Sequence, residues 1–440
     1  MNVALPTIAD ELQVAVDTVA WVVLAYSLTL VSLMMVYGAW AGRRGYYFAY
    51  RYGYTIFLVG TAICAVSQGF YMLVAGRVVQ ATGSAMLQAV GMGLITTVFP
   101  QERRGKGIGL MAMVVAAGLM SGPPLGGLLL EVWPWQSIFW VSLPVGALGL
   151  LLSFLFLRKL EVPLRKRPLH LTGAVSLSAT LLSVMLWLSL IDEYPVDDWR
   201  LIGLAALFVV ALISFLRHEL KLETALIGFQ IFKNRQFSTA VGAMFLMFAA
   251  LGGTMILIPF YLQDIRGYSP RIVGLFLIIL PVTMVFFAPT AGRISDRIGY
   301  RFLTSFGMAV LLGGLYMIFN WEPKTPDINL ILSLVAIGLG VAVFNSPNSS
   351  AMMGSVSDTQ RTVASSILST TRVIGMAIGI ALSTAIFAYY RRKYQGLGGE
   401  AVSFMASYHQ VLKATMTMAG VGMVLCLTRR NRASPPEEAG

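Results

Sequence analysis

Five polar residues stand inside runs that are otherwise apolar: Arg77 and Gln80, Asn345 and Asn348, and Arg372. An arginine at the centre of a bilayer costs about 2.5–3.5 kcal/mol or more, so such residues face a cavity or a partner. Arg77 lies six or seven residues into its run, roughly 10 Å from the outer end at about 1.5 Å per residue. Gln80 and Gly83 follow on nearby helical faces. The pattern assigns Arg77 to a functional cavity; the alternative is that it snorkels to the outer interface. Arg372 lies ten residues into a later run, with Gly375 and Gly379 making a small-residue face beside it. Its cation either serves a ligand or pairs with a backbone carbonyl. Asn345, Ser346, Asn348, Ser349 and Ser350 surround Pro347. Polar side chains with a helix break at membrane depth can build a binding wall. They can equally be interhelical hydrogen bonds of about 0.6 kcal/mol each. Lys413, near the outer end of the last run, reads as a snorkelling lysine. The 23 Met and 24 Phe suit an adaptable apolar cavity, although most of them face lipid or fill helix packing.

This is binding chemistry, not catalysis. The chain contains no GxxxxGK[ST] or HExxH motif and no carboxylate pair in a plausible site, so no catalytic residue is assigned and an enzyme is excluded. Gly105-Lys-Gly-Ile-Gly109 resembles a phosphate loop only superficially, since it follows no strand. Cys64 and Cys426 lie in apolar runs, and His170, His218 and His409 have no ligand spacing, so neither a metal nor a cofactor is expected.

The elements that must carry these residues are membrane helices. Hydrophobic residues make up 57% of 440 and charged ones 12%, with a mean hydropathy of +0.75; a soluble globular protein is excluded. Apolar runs near 20 residues recur between short polar breaks, which predicts an all-α polytopic membrane protein. Thirteen spans are expected, at 18–41, 50–68, 71–98, 107–130, 135–157, 171–191, 201–216, 237–262, 272–291, 303–320, 328–353, 362–389 and 408–427. The net charge of +12 reports topology. With the loop after residue 41 placed inside, inner loops hold 22 Lys/Arg against 8 Asp/Glu, and outer segments 7 against 12. That is the positive-inside distribution, and nucleic acid is not implied. The tract Arg391-Arg392-Lys393 falls on the outer side against this trend.

A second group of residues reads as moving parts. Gly122-Pro-Pro-Leu-Gly126-Gly127 strips one end of a helix of side chains, so Gly122, Pro123, Pro124, Gly126 and Gly127 must press on a neighbour, bend, or both. Gly38-Ala-Trp-Ala-Gly42-Arg43-Arg44-Gly45 matches Gly292-Arg-Ile-Ser-Asp296-Arg297-Ile-Gly299 at three positions with one offset of 254 residues. Both follow a hydrophobic span, which points to a parallel duplication. The segment between has no counterpart. The expected organisation is a lobe over 1–157, a linker with two extra helices over 158–236, and a second lobe over 237–440.

These motifs together resemble the 14-helix drug/proton antiporter group (EmrB/QacA type) of the major facilitator superfamily. The carriers of the likeness are NVALP (2–6), Arg77 to Gly83, GPPLGG (122–127), Trp135 to Phe139, Leu143 to Gly146, Pro259 to Gln263, Arg266 to Ser269, Gly292 to Gly299, Asn345 to Asn348 and Arg372 to Gly379. The resemblance implies a two-lobed helical bundle with an inserted helix pair between the lobes. It implies proton-coupled efflux of hydrophobic or amphipathic drug-like compounds by alternating access in the plasma (inner) membrane, with membrane lipids around it and a periplasmic adaptor as a possible partner. It implies Gly122–Gly127 at the lobe interface, and a charge latch at Gly292, Asp296, Arg297 and Gly299.

Two departures matter. Gly42 stands where the pattern has Asp, and Tyr46-Tyr47 where it has basic residues. Met1–Asp17 is too short and too acidic to span and resembles the tail of a first helix, so one helix, which in relatives commonly carries an embedded acid, is expected to be missing; the alternative is that residues 1–17 are a native outer amphipathic segment. The alternatives are a truncated, non-transporting or accessory membrane protein, or a transporter of this fold with another substrate class. No Asp or Glu lies at mid-membrane depth; Glu131 and Asp264, at outer helix ends, come nearest.

Overall fold

In a computed structural model, described over residues 1–98, 104–156, 171–190, 194, 197–221, 229–356, 361–394 and 399–429, all regular structure is helical. A short helix α1 (Leu5–Leu12) precedes thirteen long ones: α2 (Trp21–Arg44), α3 (Tyr46–Ala65), α4 (Phe70–Val98), α5 (Arg104–Val132), α6 (Ser137–Phe156), α7 (Leu171–Leu190), α8 (Trp199–Lys221), α9 (Arg235–Met255), α10 (Pro270–Ile298), α11 (Tyr300–Phe319), α12 (Asp327–Gly354), α13 (Arg361–Lys393) and α14 (Glu400–Leu427). Each of the thirteen expected spans corresponds to one of them. Among the described residues, nine helical stretches are apolar and long enough to cross a membrane. Their exposed sides carry residues such as Trp140, Leu148, Phe156, Val210 and Phe286; lipid, unlike water, solvates such a surface at no cost.

Three details differ from the sequence expectation. The span 237–262 lies in one membrane-long stretch, Arg235–Ile265, but its regular α-helix is interrupted: α9 stops at Met255, and a helical turn Ile258–Phe260 and a π turn Tyr261–Ile265 follow. Pro259, which lacks an N–H and clashes with the preceding turn, lies just beyond that stop. Conversely, α5 runs unbroken through Pro123 and Pro124, and α12 through Pro347. In a bundle the backbone groups freed by proline are taken up by neighbours, so the helix need not end.

The chain groups by proximity into two compact units. The first holds Met1–Leu226, Met255–Ile278 and Ile380–Ser407; the second holds Ile227–Thr254, Ile279–Gly379 and Tyr408–Gly440.

In the first unit, α3 and α4 are pressed together at glycines. A Cβ at Gly53 would come 3.1 Å from the Gly83 carbonyl oxygen, and one at Gly60 would strike the backbone of Gln80. Helix α7 is tied to α2 by Ser178 Oγ, which donates to the Ser32 carbonyl at 2.5 Å, and Thr172 meets His218 on α8. Helix α6 lies on α3, where Arg51 donates to the Phe154 carbonyl at 3.2 Å and stacks on the Tyr47 and Phe154 rings. Helix α1 buries Leu5, Ile8 and Ala9 and leaves Asp10 and Glu11 outside. Just before it, the Val3 carbonyl accepts from Gln263 Nε2 at 2.9 Å.

The second unit repeats the α3–α4 joint. A Cβ at Gly307 on α11 would come 2.9 Å from the Gly340 carbonyl on α12, and one at Gly314 would crowd Ile337. Gly307 and Gly314 stand 254 residues after Gly53 and Gly60, the offset already read from the loops. Gly45 and Gly299, also 254 apart, both take left-handed backbone (φ 99° and 86°) and each starts the next helix. An L side chain rarely adopts that conformation, so glycine is required at this turn in both halves. The duplication is therefore visible in geometry as well as in sequence.

Candidate functional site

The polar residues of the first unit close on one another. Arg77 and Gln80 are one turn apart on α4, so their side chains share a face. Arg77 Nε donates to the Val22 carbonyl on α2 at 3.1 Å, its Nη1 donates to Gln80 Oε1 at 2.5 Å, and its guanidinium carbon lies 4.0 Å from the centre of the Tyr26 ring. Gln80 Nε2 in turn donates to Thr61 Oγ1 on α3 at 2.8 Å, and Tyr26 Oη donates to Ser84 Oγ at 2.7 Å. Arg77 is 8% exposed and Gln80 4%. Here the cation binds three helices together and is enclosed by them; it does not snorkel. Tyr26, Thr61 and Ser84 were not singled out from sequence, because each is an ordinary residue of an apolar helix.

In the second unit, one polar segment of α12 serves two guanidinium groups on two faces. Asn345 and Ser349, four residues apart and so aligned, both accept from Arg372 Nη2 on α13, at 3.0 and 3.1 Å. Asn348 points elsewhere. It is fully buried, its Nδ2 donates to the Ala240 carbonyl on α9 at 3.1 Å, and its Oδ1 accepts from Arg429 Nη1 at 2.8 Å. Arg429 Nη2 also donates to the Thr239 carbonyl at 3.1 Å. Burial lowers the pKa of Arg429 from its ordinary value, partly opposed by Cys426 and Tyr300. Thus Asn348 acts as a strut between α9, α12 and the chain after α14. Sequence reading missed Arg429 because it sits in a basic tail that reads as a topology signal.

Arg372 is enclosed differently from Arg77 and Arg429. It is partly exposed. Its Nε is buried with no partner, and the Phe248 ring centre on α9 lies 5.7 Å from its guanidinium carbon. What holds α13 against α9 is the glycine pair read from sequence: a Cβ at Gly375 would come 2.7 Å from the Phe245 carbonyl, and one at Gly379 would strike Ala249.

The gating residues divide. A Cβ at Gly127 would strike the Pro270 carbonyl at the start of α10, and one at Gly274 would come 2.5 Å from the Pro123 carbonyl. A Cβ at Gly122 or Gly126 would meet nothing within 4 Å. Only part of the motif is therefore a tight seam in this arrangement. Near it, Arg271 and Glu131 pair at 3.7 Å with both side chains largely exposed, which contributes little. Gly292 packs on Ser346, where a Cβ would come 3.0 Å from Oγ, and Gly299 makes the turn described above. The side chains of Asp296 and Arg297 lie outside the described residues. In the basic tract, Arg391 Nη2 donates to Glu400 at 2.8 Å, and Asp264 feels the charge of Arg391. Among the described residues no group of His, Cys, Asp or Glu could hold a metal ion.

The profile of the Major Facilitator Superfamily matches residues 1–252 and 240–440 of this chain. Among curated proteins, the chain is similar to the riboflavin transporter RibZ of Clostridioides difficile (strain 630), with 28% identity covering 97% of this chain and 92% of that one. It is also similar to the multidrug resistance protein Stp of Mycobacterium tuberculosis (strain ATCC 25618 / H37Rv), with 29% identity covering 88% and 72%. Among solved structures, the peptide transporter POT in complex with sulfate superposes with a TM-score of 0.68 at 16% identity, covering 96% of this chain and 90% of that one. The fold is shared with that protein.

Proposed function

Since the chain belongs to the Major Facilitator Superfamily, and is thus a multi-pass membrane transporter and not an enzyme, we propose that it exports hydrophobic or amphipathic compounds by alternating access, driven by protons. The observation that carries this reading is the partly exposed patch of Arg372, Asn345 and Ser349 set in apolar helices beside Phe248. A polar group able to hold one end of a molecule, next to apolar surface able to hold the rest, suits an amphipathic substrate. The likeness to a multidrug resistance protein supports it. On this reading 1–157 and 237–440 are the two lobes, 158–236 is the inserted linker, and the membrane is the plasma membrane. The contact of Gly127 with Pro270 and of Gly274 with Pro123 is a closed seam that parts during transport.

The test uses purified protein in liposomes with an imposed proton gradient. A panel of Hoechst 33342, a neutral steroid and an aromatic acid is followed across the bilayer. Export of several members, abolished by a protonophore, is the expected result; export of none overturns the proposal. A second reading, transport of riboflavin, is favoured by the likeness to RibZ over almost the whole chain. Movement of labelled riboflavin with none of the panel would select it.

A further inference from the structure

Arg77 and Arg372, each set inside an apolar helix, are held in opposite ways. Arg77 has a partner for its Nε, a partner for Nη1 and a ring on its face. Arg372 has its bonds from one nitrogen only: Nη2 serves both Asn345 and Ser349. Its Nε is buried and unpartnered. A buried donor left unmade costs about 1–3 kcal/mol, more when it belongs to a charged group, so this geometry asks for an acceptor. The two acceptors present are neutral, and no described carboxylate pairs with Arg372. The three helices that meet there, α9, α12 and α13, contain a single acid, Asp327. It opens α12, 18 residues before Asn345, roughly 27 Å away along the helix. Among the described residues no acid therefore compensates the charge of Arg372.

Beside the guanidinium lies apolar surface. Met376 stands one turn along α13 on the same face and is exposed, and Phe248 is partly exposed. Arg429, whose Nε is also unpartnered, offers no comparable place: it is 3% exposed and its two terminal nitrogens are both committed.

We propose that Arg372, Asn345 and Ser349 form a subsite for the oxyanion of an amphipathic organic acid whose apolar body lies on Phe248 and Met376. With Nη2 of Arg372 committed, its Nε–H and Nη1 N–H groups remain for an anionic oxygen, and a charge-assisted bond from a guanidinium favours a carboxylate over a neutral amide. This deepens, and rests on, the reading of the chain as a transporter of amphipathic compounds.

The probe pair is 2-naphthoate and 2-naphthamide, equal in shape and different in charge. Binding is measured by equilibrium dialysis to purified full-length protein in phosphatidylcholine nanodiscs, in buffer free of phosphate. The expected result is that wild type binds naphthoate at least tenfold more tightly than naphthamide, that Arg372→Gln brings the two within twofold, and that Arg372→Lys retains part of the preference. No preference in wild type, or an undiminished preference in Arg372→Gln, overturns the proposal. Should the glutamine variant fail to fold, modification of wild-type Arg372 by phenylglyoxal, read by mass spectrometry, decides the matter. Naphthoate is expected to slow it and naphthamide not; equal effects overturn the proposal. Slowing by phosphatidylglycerol to the same degree as by naphthoate would assign the oxyanion to lipid and also overturn it. Export of the dye panel without any naphthoate preference removes this inference alone. A naphthoate preference without export removes the multidrug reading alone.

Discussion

Arg77, Arg372 and Arg429 each make two hydrogen bonds, but from different nitrogens: Nε and Nη1, Nη2 alone, and Nη1 with Nη2. Arg77 and Arg429 each donate to a backbone carbonyl of a neighbouring helix, whereas Arg372 bonds only to two neutral side chains. For Arg77→Ala we expect a loss of about 2 kcal/mol, from three interactions of about 0.6 kcal/mol each in a membrane protein. The melting temperature in detergent should fall by a few degrees and Arg77→Lys should recover part of it. An unchanged melting temperature would place the role of Arg77 outside stability. For the pair Asn348 and Arg429, at 2.8 Å and both buried, each single change to leucine strands the other partner. The double substitution should therefore destabilise by less than the sum of the singles. Additive melting shifts would show that the pair is not coupled. Neither change should alter naphthoate preference, which belongs to Arg372.

Among the elements, the glycine motif on α5 works through one side only. Gly127 faces the Pro270 carbonyl and Gly274 faces the Pro123 carbonyl, while Gly122 and Gly126 meet nothing within 4 Å. Replacing Gly127 or Gly274 with Val should force the start of α10 away from α5. We expect transport to slow by a similar factor for every substrate, with binding within twofold of wild type. Gly126→Val should leave both rates and melting temperature near wild type. Measuring binding and transport on the same reconstituted samples checks this; a change in substrate preference at unchanged maximal rate would contradict it. The α3–α4 and α11–α12 joints are a different use of glycine. There Gly53, Gly60, Gly307 and Gly314 set permanent close packing, so substitution should lower stability without a specific effect on rate.

At the scale of the whole molecule, topology follows from charge. The 22-to-7 division of Lys/Arg predicts that the turns at Gly45 and Gly299 face the cytoplasm, and that the turn at Trp321–Thr325 faces outward. A cysteine at Lys324 should react with an impermeant maleimide in intact cells. Cysteines at Arg301 and Thr428 should react only after permeabilisation. Cys64 and Cys426 are buried and should give little background. Reaction of the Thr428 position from outside would reverse the assigned orientation. The Arg391 tract runs against this balance and is partly offset, because Glu400 pairs with it and Asp264 lies within its electrostatic reach.

Sequence alone determined where the helices lie and that the halves repeat, because apolar run length and a glycine required at a fixed turn are local properties. Gly45 and Gly299 announce themselves by spacing and take the same backbone. Arg77, Gln80, Asn345 and Arg372 were legible as polar residues embedded in apolar helices for the same reason: a charge or amide in an apolar run stands out wherever the run ends up. What each of them does was not legible. Partner choice depends on which helix faces which, and only tertiary packing brings Val22 and Thr61 to the Arg77 network, or Arg429 to Asn348, 81 residues apart. The split of the α12 polar segment is the plainest case. Asn345 and Asn348 have the same chemistry three residues apart, and the rotation of the helix between them gives one to Arg372 and the other to a buried strut. Gly126 and Gly127 differ in the same way: adjacent in sequence, but only Gly127 points at the neighbouring backbone.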